Sequence, residues 1–309
     1  MSLHPPIKIG TRDSELAIWQ ASEVQKLLAL QDIPSTLVPI KSEGDLDLKT
    51  PLYAMGVQGV FTRALDIALL NDRIDMAVHS MKDVPVQLPQ GVCQAAVLKR
   101  ASHKDMLVFK EDSSFLKNPI SIATIATSSL RRKAQWLHQY PYHRIEVLRG
   151  NIHKRLEKLE NEKWDGALFA AAGLDRLSKR PAHSIELDWM LPAPAQGAIM
   201  VVCKEDDTLT KRSCQSLNDL STARCVKIER DFLKALMGGC SAPISALAIE
   251  ENGNIHFSGN IFSPDGKDFL EVEKKAALSN AGKMGEEAAE EIISKGGLTL
   301  LNQIKNAGK

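Results

Sequence analysis

The most informative segment of the chain is Val78-His79-Ser80-Met81-Lys82-Asp83-Val84-Pro85. The mainly apolar residues 74–78 lead into it and predict a buried strand, while Pro85 stops regular structure after the polar residues. Ligands of open α/β sheets bind beyond the carboxyl ends of the strands. Asp83 beside Lys82 is suited there to proton handling or to stabilising positive charge. Taken alone, the pair favours the alternative of an ordinary surface ion pair.

The same pattern, an apolar strand that ends in arginine or hydroxyl residues, recurs along the chain. Further strands are predicted at 7–10, 120–126, 145–148 and 167–170. The residues that follow their ends are Arg12, Ser14, Thr127, Ser128, Ser129, Arg131, Arg132, Arg149 and Arg176. The hydroxyls of Ser128 and Ser129 both suit a helix N-cap, where free backbone N–H groups attract anions. A helix after the third of these strands buries an apolar face and leaves Arg155 outside that face.

Cations repeated at strand ends predict a cleft for a large polyanion. Arginine pairs bidentately with carboxylate or phosphate and stays charged, so the pattern does not distinguish these two anions. For each arginine taken singly, the alternative is a solvated helix face. Chance would scatter such residues over both ends of the strands, which favours the cleft.

Composition and charge exclude several classes of protein. The 309 residues predict about two domains, with three possible. Because 39 basic residues nearly balance 38 acidic ones, no global field favours nucleic acid, and aromatic residues at 5% provide no stacking platform. No apolar run approaches the roughly 20 residues that span a bilayer. Residues 1–6 lack a signal-peptide core, so a cytoplasmic location is expected.

The cysteines predict neither a metal site nor a disulfide framework. Their positions are Cys93, Cys203, Cys214, Cys225 and Cys240. They show no C-x-x-C spacing and no neighbouring histidine pattern, so no metal is expected. An odd number in an apparently cytosolic chain argues against a disulfide framework. Four of them are interpreted as small core or surface residues.

Cys240 differs because it lies in the loop Gly238-Gly239-Cys240-Ser241-Ala242-Pro243. The glycines allow unusual backbone angles and the close approach of a bulky group, and Pro243 keeps the segment out of a helix. An exposed loop thiol suits a nucleophile or a covalent anchor. The alternative is an inert cysteine, since glycine pairs are common at helix ends.

The order of predicted elements indicates two lobes and a smaller C-terminal part. A stiff segment at 191–198 crosses back towards the first unit, and a strand at 199–203 is interpreted as rejoining the first sheet. The C-terminal part is predicted as helix 223–237, strands 245–250, 254–262 and 269–277, and helix 282–295. The predicted domains are domain 1 at 1–98 and 195–216, domain 2 at 99–194, and domain 3 at 217–309.

An ordered set of motifs carries a resemblance to a known family. The motifs are Gly10-Thr11-Arg12-Asp13-Ser14, 78–85, 127–132, Leu148-Arg149-Gly150-Asn151, Ala172-Gly173-Leu174, Gln196-Gly197-Ala198 and Gly238-Gly239-Cys240. Each motif is weak alone, but the ordered set covers nearly the whole length. The chain resembles the porphobilinogen deaminase family, also called hydroxymethylbilane synthases.

This resemblance implies a fold and a reaction. The fold is α/β, with two lobes like type II periplasmic binding proteins and a small C-terminal α+β domain. The cofactor is a dipyrromethane, assembled from substrate and held by a thioether to Cys240. Four porphobilinogen molecules are added in turn with loss of ammonia, and hydrolysis releases hydroxymethylbilane for tetrapyrrole (haem) biosynthesis. The resemblance implies a cytoplasmic transferase, expected as a monomer without nucleic-acid or membrane partners.

The resemblance also implies roles for individual residues. Asp83 matches the catalytic carboxylate, which stabilises charge on pyrrole nitrogens and assists proton transfer. The residues that match the cofactor site are Ser80, Lys82, Thr127, Ser128, Ser129, Arg131, Arg132 and Cys240. The residues that match the path of porphobilinogen and the growing polypyrrole are Arg12, Ser14, Arg149, Arg155, Arg176 and Gln196.

Three positions depart from the family pattern. Gln58 stands where the family usually has a lysine in a mobile loop, and Ala195 stands where a hinge glycine is usual. Glu15 replaces a common proline. Asp83 and Cys240 are both retained, so the predicted activity stands.

Two functions of other classes are compatible with parts of the sequence. A solute-binding or ligand-sensing protein shares the two-lobed architecture but needs no Gly-Gly-Cys loop. A nucleic-acid binder could use Arg131-Arg132-Lys133, yet the balanced charge and scarce aromatic residues disfavour it.

Overall fold

The computed structural model describes residues 5–41, 62–118, 120–236 and 242–307. These residues form two compact units. Unit 1 comprises 5–41, 62–101 and 197–224, and unit 2 comprises the described residues of 102–196 and 225–307. The three domain ranges given by the sequence stay a prediction.

The strands and helices alternate through both units. The strands are β1 (Ile7–Arg12), β2 (Ser35–Ile40), β3 (Met76–Ser80), β4 (Val92–Val97), β5 (Asp105–Phe109), β6 (Thr124–Ala126), β7 (Arg144–Glu146), β8 (Gly166–Ala170), β9 (Ser184–Glu186), β10 (Ile199–Lys204), β11 (Ile244–Glu251), β12 (Asn254–Phe262) and β13 (Phe269–Ala277). The described helices are α1 (Glu15–Ala29), α2 (Arg63–Leu70), α3 (Leu130–Gln139), α4 (Ile152–Asn161), α5 (Ala171–Arg176), α6 (Thr208–Cys214), α7 (Leu220–Ala235), α8 (Met284–Ile292) and α9 (Leu298–Ala307).

Each unit contains a five-stranded sheet of the same plan. The order is β2-β1-β3-β10-β4 in unit 1 and β7-β6-β8-β5-β9 in unit 2. In each sheet three neighbouring strands are parallel, and the fourth is antiparallel to both strands beside it. The predicted return of the chain to the first sheet is confirmed, because β10 pairs with β3 from Ile199 opposite Ser80. The α/β class with two such lobes is confirmed as well.

Helix α1 forms because its apolar residues repeat with helical spacing and its first turn is capped. Ser14 precedes the helix, and its hydroxyl accepts a hydrogen bond from the N–H of Ala17 at 3.4 Å. On the sheet side, Val24 and Leu28 pack with Ile9 of β1 in the core of unit 1. The helix therefore leaves the carboxyl end of β1 in a defined direction, which positions the residues that follow that strand.

The C-terminal part of unit 2 is the predicted small α+β assembly, a β11-β12-β13 antiparallel sheet with helices. Phe232 of α7 packs edge-to-face on Phe257 of β12, with ring centroids 5.3 Å apart. A side chain in place of Gly285 would meet the carbonyl oxygen of Ile228 at 2.2 Å, so α8 approaches α7 closely only because glycine stands there.

Two predicted elements are wrong in extent. The strand expected at 120–126 forms only over Thr124–Ala126, because the Ser121 hydroxyl donates to the carbonyl of Phe115 at 2.7 Å and holds the preceding backbone in a turn. The helix expected at 282–295 ends at Ile292, and Gly296, with φ of 100°, separates it from α9. Other differences from the predicted bounds are shifts of one to three residues at element ends.

Candidate active site

The carboxyl ends of β1 and β3 bring the predicted residues of unit 1 to one sheet edge. These strands are parallel neighbours, and they end at Arg12 and Ser80. A 3-10 turn over Met81–Asp83 follows β3 directly. The buried side chain of Met81 anchors this turn, and its N–H donates to the carbonyl of Ala198 at 3.0 Å. Asp83 is thereby held half-buried at the edge.

The carboxylate of Asp83 makes no hydrogen bond or ion pair within the described part of the chain, and no ion pair joins it to Lys82 there. A carboxylate with both oxygens available is able to accept hydrogen bonds from a ligand or to stabilise a cation. The geometry therefore does not support the alternative of an ordinary surface ion pair between Lys82 and Asp83.

The two predicted serines of unit 1 serve local structure. Ser80 exchanges hydrogen bonds with the buried amide of Gln20 on α1, at 2.9 and 3.2 Å. Ser14 caps the same helix. Both hydroxyls thus fix the approach of α1 to the strand ends.

A buried histidine lies immediately before this edge. His79 is 5% exposed, and its Nε2 has no hydrogen-bond partner in the described structure. Burial and the positive charge of Arg12 lower the pKa of His79 to about 4. At neutral pH the imidazole of His79 is therefore uncharged.

In unit 2, the hydroxyls that follow β6 hold the start of α3. Of the two predicted candidates, Ser129 is the N-cap of α3, and its hydroxyl accepts from the N–H of Arg132 at 3.4 Å. The hydroxyl of Thr127 accepts from the N–H of Ser129, and the hydroxyl of Ser128 donates to the carbonyl of Leu148 at 2.7 Å. These bonds tie the ends of β6 and β7 to the first turn of the helix.

Arg131 and Arg132 are buried and share one internal carboxylate. Nη2 of Arg131 lies 2.7 Å from Oδ2 of Asp105, and Nη2 of Arg132 lies 2.7 Å from Oδ1. Nε of Arg132 donates to the same Oδ1 at 2.9 Å. Backbone carbonyls complete the arrangement, since Arg131 donates to Leu191 at 2.8 Å and Arg132 to Leu168 at 3.0 Å.

This cluster holds more positive than negative charge. Two guanidinium groups against one carboxylate leave a net charge of +1 in a site where Arg131, Arg132 and Asp105 are all at most 6% exposed. Burial lowers the pKa of Arg131, and Asp105 opposes that shift. Nε of Arg131 has no hydrogen-bond partner within the described residues. An anion at the N-terminus of α3 would meet both this excess charge and the helix dipole.

The remaining predicted residues of unit 2 lie at or near the same edge of its sheet. Arg149 is buried beyond the end of β7, and Nε of Arg155 on α4 donates to the carbonyl of Gly150 at 2.7 Å. Arg176 ends α5, directly after β8, and burial lowers its pKa to about 10, so it stays charged at neutral pH. Gln196 is buried and donates to Asp105 at 3.0 Å.

Asp105 and Glu229 are not among the residues predicted from the sequence. Asp105 reaches the cluster because β5 runs antiparallel to β8, which places its first residue opposite Ala170 at the carboxyl edge. An acid that opens an otherwise apolar strand is the only local signal for it. Glu229 of α7 is fully buried and accepts from the N–H groups of Ala195, at 2.6 Å, and Ala248, at 2.8 Å. No local pattern indicates that role.

Cys240 and Gln58 lie outside the described residues, and so does most of the Gly-Gly-Cys loop. Cys203, Cys214 and Cys225 are buried, and Cys93 is half-buried. No cluster of three or more potential metal ligands occurs among the residues whose positions are described. In the same residues, no helix is long and apolar enough to cross a membrane.

Comparison with known families and proteins gives consistent matches along the chain. The family model described as "Porphobilinogen deaminase, dipyromethane cofactor binding domain" matches residues 7–212. The model described as "Porphobilinogen deaminase, C-terminal domain" matches residues 223–294. A porphobilinogen deaminase from Syntrophotalea carbinolica is 40% identical over 294 residues, which are 94% of this chain and 93% of that protein. One from Pelobacter propionicus is 35% identical over 308 residues, 97% and 98% of the two chains.

Among solved structures, similarity is more distant. An ancestral cationic amino acid solute binding protein matches with a TM-score of 0.46 and 11% identity, over 69% of this chain and 87% of that one. The periplasmic VFT2 domain of Bordetella pertussis BvgS matches with a TM-score of 0.42 and 11% identity, over the same shares of the two chains.

Proposed function

This chain belongs to the porphobilinogen deaminase family of tetrapyrrole biosynthesis, and we propose that Asp83 is the catalytic carboxylate of that activity. The proposed reaction is a transferase reaction that joins four porphobilinogen molecules with loss of ammonia and releases hydroxymethylbilane. We keep a cytoplasmic monomer as a prediction from the sequence.

The availability of the Asp83 carboxylate is the observation that carries this proposal. Pyrrole nitrogens become cationic as ammonia leaves and as each new bond forms. The turn Met81–Asp83 fixes a negative charge at the strand edge, and no described partner neutralises it. A fixed charge stabilises a developing cation without the cost of reorganisation. Its oxygens accept hydrogen bonds from pyrrole N–H groups, and they are able to take up and return a proton.

The arginines of unit 2 support a polycarboxylate ligand. Every porphobilinogen carries an acetate and a propionate, so the growing product accumulates carboxylates. The excess charge of Arg131 and Arg132 over Asp105 fits such a group at the N-terminus of α3. Nε of Arg131, which has no hydrogen-bond partner among the described residues, is available to it as well. In this arrangement Asp105 positions the two guanidinium groups before a ligand arrives.

We propose that these residues hold the family's dipyrromethane cofactor, with Ser80, Lys82, Thr127, Ser128 and Ser129 around it and Cys240 as the thioether anchor. When bound, the dipyrromethane would supply the free pyrrole carbon from which the chain of substrate units grows. The proposed path of porphobilinogen and the growing chain is lined by Arg12, Ser14, Arg149, Arg155, Arg176 and Gln196. Gln196 donates to Asp105, so we assign it a positioning role.

The decisive experiment isolates the charge of Asp83. Asp83→Asn keeps the shape of the side chain but removes the negative charge, and we expect turnover to fall by about 10²–10³. Asp83→Glu keeps the charge at a displaced position and should retain more activity than the asparagine variant. Porphobilinogen consumption is measured on protein whose cofactor loading is verified by intact mass.

Asp13→Asn is the matched control, because Asp13 is an exposed carboxylate beyond the end of β1 at the same edge. Its turnover should stay within about twofold of wild type, since an exposed charge is screened by solvent. A loaded Asp83→Asn enzyme with wild-type turnover would show that the assignment is wrong.

A second experiment tests the anchor. Cys240→Ser should purify without covalent pyrrole, because a serine hydroxyl is a far weaker nucleophile than a thiolate. Intact mass and the colour reaction of free pyrrole positions with Ehrlich's reagent report the result. Covalent pyrrole on the serine variant would identify another residue as the anchor.

A further inference from the structure

Unit 1 contains a pair of thiols on neighbouring strands. Cys93 on β4 and Cys203 on β10 stand directly opposite each other in the antiparallel register. Their Sγ atoms are 3.9 Å apart, and both thiols are free. Residues opposite each other in such a ladder point to the same face of the sheet.

The backbone geometry of this pair suits a disulfide. Opposed residues on antiparallel strands have Cα atoms about 4.5–5.5 Å apart, within the range of about 4.4–6.8 Å seen in disulfides. The sulfurs must approach by about 2 Å to reach a bond length of about 2.05 Å. Rotation of two side chains supplies this movement, with no change of strand register.

The two thiols differ in access. Cys93 is half-buried, whereas Cys203 is buried, so an oxidant in solution reaches Cys93 first. Burial, with the neighbouring Cys93 and Cys214, raises the pKa of Cys203 to about 12. Cys203 is therefore protected from direct oxidation but lies within reach of an oxidised Cys93.

We propose that Cys93 and Cys203 are an oxidant-sensitive site that forms an intramolecular disulfide on exposure to peroxide. The Cys93 thiolate attacks one peroxide oxygen, which breaks the O–O bond and gives a sulfenic acid and hydroxide. The proton released when the Cys93 thiol ionised converts this hydroxide to water. The Cys203 sulfur then displaces the sulfenic oxygen as water and forms the S–S bond. Overall, two thiols are oxidised and one peroxide is reduced to two water molecules.

The place of this pair in the chain determines the consequence of oxidation. The chain leaves unit 1 after β4 and returns to it on β10, so the bond would join the strands on either side of the excursion into unit 2. The two cysteines are 110 positions apart. A cross-link over such a long loop restricts the unfolded chain strongly, so the oxidised protein should melt at a higher temperature than the reduced protein.

To test this proposal, the purified protein is titrated with hydrogen peroxide near neutral pH. Any covalent cofactor is left in place. Remaining thiols are then alkylated, and cross-linked peptides are mapped by mass without reduction. We expect the loss of two hydrogen atoms, a peptide that joins Cys93 to Cys203, a raised melting temperature, and reversal of all three by dithiothreitol. Cys93→Ser should abolish these changes.

Cys214→Ala is the matched control, because Cys214 is a buried thiol near the pair and the competing partner for an oxidised Cys93. This variant should still form the Cys93–Cys203 cross-link. A Cys93–Cys214 peptide, or oxygen atoms added to Cys93 without a cross-link, would overturn the proposal. A lower melting temperature of the cross-linked protein would equally show that the native sheet does not accommodate the bond.

Discussion

The strand ends of the two units use charge in opposite ways. In unit 1, Asp83 is half-buried and has no partner among the described residues, whereas in unit 2, Arg131 and Arg132 are buried around Asp105. A partly solvated carboxylate needs no protein partner, but a buried guanidinium does, because desolvation of an uncompensated charge is costly. The carboxylate of Asp83 in unit 1 is therefore available to a ligand. The guanidinium groups of Arg131 and Arg132 in unit 2 are held in place by Asp105 before any ligand binds.

Charge-removing substitutions at Asp83 and at Asp105 should therefore have different effects. Removing the charge of Asp83 should affect chemistry and leave folding nearly unchanged. Removing the charge of Asp105 should affect folding first, because two like charges would remain buried side by side.

Asp105→Asn should lower the free energy of unfolding by about 3–5 kcal/mol, because it leaves two buried guanidinium groups without a counter-ion. Urea unfolding followed by circular dichroism measures the loss. Asp188→Asn is the control, since Asp188 pairs with Lys104 at 2.5 Å but is 78% exposed. The control should change stability by less than about 1 kcal/mol. Equal effects of the two variants would contradict the preorganised cluster.

Stability should fall as the pH is lowered from about 6.5 towards 4, through His79 of unit 1. Its pKa falls from 6.5 to about 4 on burial, so the unfolded chain binds the proton first and protonation favours unfolding. The contribution of neutral His79 to the free energy of unfolding is complete above pH 6.5. Up to about 3 kcal/mol of it is lost by pH 4.

The measurement for His79 is the difference between wild type and His79→Gln in urea unfolding at several pH values. Groups that titrate alike in both proteins cancel in this difference. Two parallel curves of stability against pH would show that His79 is not the group responsible.

The helix caps of the two units should contribute equally. Ser14→Ala removes the cap of α1, and Ser129→Ala removes that of α3, each with a cap hydrogen bond of 3.4 Å. Each substitution should cost about 1 kcal/mol in unfolding free energy. A loss at Ser129 several times that at Ser14 would mean that the cap is coupled to the arginine cluster.

Ala195→Gly should raise stability slightly. Ala195 has φ of 61°, a left-handed conformation that costs alanine about 1–2 kcal/mol, while glycine adds about 0.4–1 kcal/mol of unfolded-chain entropy. The net gain is about 0.5 kcal/mol, seen as a small rise in melting temperature. Ala198→Gly, a buried alanine without positive φ, should instead lower it. A decrease at both positions would mean that the methyl group of Ala195 contributes more by packing than its conformation costs.

Strand ends and helix starts were predictable because they depend on residues within one or two turns. The apolar run before Ser80, the breaker Pro85 and the cap Ser129 each act locally, and the structure has the predicted elements there. Neighbouring parallel strands end at the same edge of a sheet. Once β1 and β3 are known to be neighbours, Arg12 and Asp83 are therefore expected at one edge. The strand predicted over 120–126 is too long, because its extent depends on burial and not on local residues alone. An apolar run does not reveal that Ile120 and Ile122 are 72% exposed.

Local sequence patterns were enough to identify the residues that follow the strand ends, the return of β10 to the first sheet and, through ordered motifs, the family. They left Ser128 and Ser129 both open as the cap of α3, and the structure shows that Ser129 is the cap. Which charges are paired depends instead on tertiary packing. Asp105 meets Arg131 and Arg132 because an antiparallel strand carries it to their edge, and Gln20 meets Ser80 because α1 packs across the sheet. Periodicity and capping act over a few residues, whereas the free energy of a charge depends on burial. Burial arises only when segments distant in sequence pack together.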